Sequence, residues 1–134
     1  MSKVSQEVAE AEFARFGDAM DLDFDVSVMD DDDKAGFETQ KRRVVRAIMK
    51  GSLVVNDKGE PVYTPQRVES AEPITFFEPR GGALMAMDRR KKNEDVAKMY
   101  ALMGEMTKVP ARTYSSMPMA DLKVCQAVVT LFLA

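Results

Sequence analysis

The chain has no histidine, no tryptophan and a single cysteine, and aromatic residues make up only 7% of it. Without histidine, the customary neutral-pH general base, Ser-His nucleophile arrangements and His-ligated metal sites are all excluded. One cysteine excludes a disulfide framework and a thiolate zinc site. Cys125 lies in an apolar run, which reads as a buried thiol in a reducing compartment, so cytoplasm is the expected location. The longest apolar stretch, residues 124–134, is interrupted by Gln126 and Thr130 and is too short to span a bilayer. No charged n-region followed by an apolar core opens the sequence, so neither a signal peptide nor a membrane span is expected.

What is present is enough for one folded unit. The 134 residues are 46% hydrophobic and 31% charged, which suits a single modest core and not two. The formal net charge of −3 hides an uneven distribution. Residues 1–33 carry eleven acids against Lys3 and Arg15, whereas residues 34–50 carry Lys34, Lys41, Arg42, Arg43, Arg46 and Lys50 against Glu38. This division suggests an acidic N-terminal helix and arm over 1–33 and a single domain over 34–134. The acidic part reads either as a solvated arm or as one that pairs with or masks the basic helix beside it.

Over residues 5–20, Ala9, Phe13, Phe16 and Met20 recur at helical spacing, with Glu7, Glu10 and Asp18 facing away. From 21 to 28, acids alternate strictly with Leu22, Phe24, Val26 and Val28, which predicts an edge strand or an extended arm that the following aspartate run stops. Residues 36–50 form an amphipathic helix with Phe37, Val44, Val45 and Ile48 on one side, ended by Gly51. Three short apolar pieces, 53–55, 62–64 and 74–77, predict a hairpin with a third strand beside it. Beyond Gly81-Gly82 the period is helical. Val96, Met99, Met103 and Met106, with Leu102, make one stripe, for which Asn93 is the expected cap. Leu122, Cys125, Val129 and Phe132 make another, on a helix apolar almost all round that is either the buried centre or meets a second chain. Ser116 is its expected cap, with Pro118 in its first turn. The expected fold class is α+β, mainly α: a short β-hairpin or three-stranded meander, then a C-terminal helical bundle.

Candidate chemistry is sparse. Asp21, Asp23 and Asp25 have the spacing that opens a calcium loop, but Val26 stands where glycine is needed and Asp32 where glutamate is. No metal site is expected, and no cofactor. Arg80-Gly81-Gly82 lacks the surroundings of a phosphate loop. Arg89, Arg90, Lys91 and Lys92, with Arg42, Arg43 and Arg46, form basic clusters, but no aromatics interleave with them and the chain is acidic overall, so nucleic acid is not the expected partner. Methionines 85, 87, 99, 103, 106, 117 and 119 crowd one third of the chain. Such side chains fill cores and also adapt to varied apolar partners, and the helical stripes exceed what one small core absorbs easily. The expected contact residues are Met99, Met103, Met106, Leu131 and Phe132, with Arg42, Arg43 and Arg46 as a charged docking face.

From Ile74 onward a further pattern enters. Ile74-Thr75-Phe76-Phe77-Glu78-Pro79 precedes the Gly81-Gly82 helix start. A short helix over 95–108 closes with Thr107-Lys108-Val109-Pro110, and Met119-Ala120-Asp121-Leu122 opens the final apolar helix. This arrangement over roughly residues 74–134 resembles the tail assembly chaperones of long-tailed bacteriophages, in particular those of myophages. Members share a short strand ending in Glu-Pro, a mostly helical remainder and an Asp-Leu pair leading the last helix. The acidic arm and the basic helix at 36–50 match nothing in that pattern. The resemblance implies a protein that is not an enzyme and that works in the host cytoplasm. It would coat the tape measure protein and deliver it, with tail tube protein, to the growing tail, and it would self-associate into a homo-oligomer. Alternatives are a structural subunit of a phage tail or connector and, from another class, a small nucleic-acid-binding regulator.

Overall fold

The computed structural model describes residues 3–88 and 95–133. Its elements run α1 (Gln6–Ala19), α2 (Asp31–Lys50), β1 (Leu53–Val55), β2 (Pro61–Tyr63), β3 (Ile74–Thr75), α3 (Gly81–Asp88), α4 (Asp95–Thr107), α5 (Ala111–Ser115) and α6 (Met119–Phe132). The chain is thus α+β and mainly α, a small antiparallel sheet followed by helices.

Each element follows from a local cause. The Ser5 hydroxyl accepts a hydrogen bond from the Val8 N–H at 3.2 Å and starts α1, whose Ala9, Phe13 and Phe16 face inward. Gly51, at φ 81°, closes α2 in the left-handed conformation. The sheet is a meander in the order β1-β2-β3, with Leu53 opposite Tyr63 and Tyr63 opposite Ile74. Leu53, Val55, Tyr63 and Ile74 point into the core while Val54 faces out, the alternation that one buried sheet face requires. In the β1–β2 turn, Asn56 Oδ1 accepts from the N–H groups of Lys58 and Glu60. Gly59 there has φ 80°, and a Cβ on it would stand 2.2 Å from that of Ala19. Arg15 ties α1 to the same turn, donating to the Val55 carbonyl at 2.6 Å and the Asn56 carbonyl at 2.7 Å.

The core is continuous. α6 lies at its centre, with Cys125, Val128, Val129 and Leu131 fully enclosed between α2 and the Leu102, Met103 and Met106 face of α4. Phe132 meets Phe16 of α1 edge-on, 5.1 Å between ring centres, and Phe13 stacks on Phe24 at 4.9 Å. Residues 1–33 are therefore not set apart from the rest, because α1 supplies part of the same core.

Four local expectations are corrected. The aspartates do not stop an element but begin one. Asp30 Oδ1 accepts from the Asp33 N–H at 2.8 Å, and Asp31, Asp32 and Asp33 form the first turn of α2, where the helix dipole favours negative charge. Residues 21–28 form no strand: Asp21 has φ 53° and Val26–Val28 is a 3-10 turn. The alternation survives as an extended arm, whose Leu22 and Phe24 pack on the core while the acids face water, and the Phe24 ring occupies the space that a side chain on Gly17 would need. Ser116 caps no N-terminus. It ends α5, where its hydroxyl donates to the Arg112 carbonyl, and Pro118 precedes α6 with no side-chain cap. Finally, the surplus of apolar helix faces is small, because most of the stripes are consumed by one core. The Asn93 cap and the cluster Arg89, Arg90, Lys91 and Lys92 lie outside the described residues.

Candidate functional site

Of the expected contact residues, Met103, Met106, Leu131 and Phe132 are buried in the core and Met99 is half-buried. The four buried ones present almost no surface to a partner in the folded chain, and Met99 presents part of its side chain. The three-four-three spacing marks which side of a helix is apolar, but not what covers it, and here α4 and α6 contribute to the same core. Arg42 and Arg46 are exposed and Arg43 is half-buried, as a docking face needs.

The outward apolar side chains among the described residues are others. Met85 on α3 is 61% exposed and Val96 on α4 is 64% exposed. α3 packs on α4, so both belong to one helical hairpin, which also contributes to a cleft of about 470 Å³ between it and the body. Met20, Phe77, Pro79, Ala83 and Met106 supply the apolar lining, and Lys58, Glu60, Arg80, Glu105 and Lys108 rim it. Lys108 Nζ sits 5.1 Å from the centre of the Phe77 ring. Met119, at the start of α6, is equally exposed at 61%. Spacing alone does not single out Met85 or Val96 as outward, since Val96 falls in the same three-four-three stripe as the buried Met103 and Met106.

Charge is organised with comparable clarity. Arg43, Arg46 and Lys50 of α2, Arg67 after β2 and Lys123 of α6 surround a pocket of about 290 Å³. Its one acidic lining residue is Asp121, and both of its oxygens are engaged. Oδ1 accepts from the Tyr63 hydroxyl at 2.6 Å and the Gln66 N–H at 2.7 Å, and Oδ2 accepts from the Arg67 N–H at 3.0 Å. The Asp of the Asp-Leu pair is thus a structural clamp, fastening the loop after β2 to the first turn of α6. Burial, and then the Asp121 carboxylate, push the Tyr63 hydroxyl far above its ordinary range. Among the described residues, none of the five cations forms an ion pair; the pairs present are Arg15–Glu12 and Lys41–Glu10.

Four further groups among the described residues, Cys125, Tyr114, Asp23 and Asp25, are buried or hydrogen-bonded. Cys125 is fully buried, and burial and then the Asp121 charge raise its thiol to about 12, so it is no nucleophile at neutral pH. Burial likewise raises Tyr114 to about 12, against the opposing effect of its hydrogen bond with Thr107. Asp23 and Asp25 turn their carboxylates onto local N–H groups, and Ser27 holds the Asp25 carboxyl below its usual range. No group of three or more potential metal ligands converges among the described residues, and no helix among them is long and apolar enough to cross a membrane. Comparison of the chain with protein-family models, with curated proteins and with solved structures returns no match.

Proposed function

We propose that the chain is a phage tail assembly chaperone that binds the tape measure protein and tail tube subunits during tail morphogenesis, without catalysis of its own. The α3–α4 hairpin carries this reading. It lies within the segment that resembles the chaperone family, and it turns Met85 and Val96 outward beside an apolar-floored cleft. A holdase needs adaptable apolar surface on a stable, charged body, and methionine supplies the adaptability. The contact surface accordingly moves from the buried methionines of α4 to Met85, Val96 and the half-buried Met99, with Arg42, Arg43 and Arg46 as charged flanks.

Co-expression with a tape measure protein tests it. The soluble yield of that partner should rise with the wild-type chain. It should fall back with Met85→Asp combined with Val96→Asp, two exposed positions where the fold tolerates charge. A partner whose solubility does not change with the wild-type chain sinks the reading.

A further inference from the structure

We propose that two copies of this chain associate through antiparallel α2 helices, the acidic first turn of each entering the cationic cup formed by Arg43, Arg46, Lys50, Arg67 and Lys123 of the other. α2 is a dipolar rod. Its first turn carries Asp31, Asp32 and Asp33, all exposed, and its last two turns carry the cations, and neither set forms an ion pair among the described residues. The two ends cannot neutralise each other within one chain, because Asp32 and Arg46 are about 21 Å apart along a rigid helix at 1.5 Å per residue. A second copy reversed in direction brings both pairs together at once, which is the isologous geometry of a two-fold dimer.

The face between the charges fits this arrangement. At about 100° per residue, positions 32, 35, 39, 42, 43, 46 and 50 fall within an arc of about 100° opposite the buried Val44 and Ile48. With the axis at Thr39, Asp32 faces Arg46 of the second copy and Ala35 faces its Arg43. Thr39 and the small Ala35 lie nearest the axis, and Arg43 of each copy reaches across the Ala35 of the other. Nucleic acid suits the cup less well: the net charge is −3, and the aspartate turn on the same helix would face its phosphates. The cup is built from three separate parts of the chain, and the Asp121 clamp fixes the backbone after β2 relative to the first turn of α6, so the segments that carry its cations keep their relative placement.

Light scattering and sedimentation of the full chain test this. At ~0.01 M ionic strength the wild type should have the mass of two chains, and at ~1 M, where screening shortens to about 3 Å, the mass of one. Arg43→Glu with Arg46→Glu, and separately Asp31→Lys with Asp32→Lys, should each be monomeric at low salt, the dissociation constant rising about tenfold or more. Mixed together, these two variants should form a heterodimer, because every reversed charge then meets its opposite. Circular dichroism checks their folding, and Arg46→Gln and Asp32→Asn, which keep the helix intact, should weaken the dimer in the same direction. A wild type monomeric at low salt, a dimer indifferent to charge reversal, or folded variants that fail to pair when mixed would each overturn the proposal. So would duplex DNA bound by a monomer and lost with Arg43→Glu and Arg46→Glu.

Discussion

Single residues bear much of this fold, and Asp121 most of all. It is enclosed and accepts from three donors, the Tyr63 hydroxyl and the N–H groups of Gln66 and Arg67. Asp121→Ala should cost about 3 kcal/mol, since the buried Tyr63 hydroxyl loses its charged acceptor and the loop after β2 loses its tie to α6. Asp121→Asn should cost nearly as much, because its amide N–H₂ would face an N–H. Tyr63→Phe, which loses one bond to a charged acceptor, should cost about 1.5 kcal/mol. Urea denaturation of the three variants checks the order. Cys125 makes a pH prediction. Unfolded, its thiol loses a proton near 9.0; folded, it keeps it until about 12. Between those values the unfolded chain binds fewer protons, so stability is full below pH 9 and declines as pH rises, by at most about 1.4 kcal/mol per unit from this group. Tyr114, raised to about 12, adds to the slope above pH 10. Cys125→Ala should make the decline of the urea midpoint shallower between pH 9 and 12, and a thiol reagent should label Cys125 only in denaturant.

At the scale of elements, α2 and the β1–β2 turn give the sharpest tests. Asp30→Ala removes the cap from the Asp33 N–H and should lower stability by about 1 kcal/mol, seen as a lower thermal midpoint. Gly59→Ala should do more, over 2 kcal/mol, because it combines a positive φ with a Cβ driven into Ala19. The sequence made much of this level legible. The meander, the glycine end of α2 and the central place of α6 follow from short-range pattern, since side-chain period and turn chemistry are local properties. The aspartate run misled because charge repulsion and helix capping make opposite demands on the same residues, and the dipole prevailed. The alternation over 21–28 left strand and arm open, because an extended arm alternates whether or not it finds a strand to pair with. The exposed apolar side chains were the least legible part: periodicity identifies an apolar face, and only tertiary packing decides that Met103 and Met106 are enclosed while Met85 and Val96 are not.

For the molecule as a whole, one core shared by α1, α2, the sheet, α4 and α6 predicts one cooperative transition. Removing residues 1–25 should abolish that transition rather than release a stable domain, because Phe13, Phe16 and Phe24 leave with it; calorimetry of the shortened chain checks this. The meeting of Phe16 with Phe132 also sets a timetable. On a translating ribosome α1 emerges long before its aromatic counterpart, and at about 5–20 residues per second the wait lasts roughly 6–23 seconds. Throughout that interval Phe13 can already meet Phe24, while Phe16 lacks the ring of Phe132. The abundance of carboxylates in this part of the chain then acquires a second meaning, as the solubilising escort of a ring whose counterpart is made last.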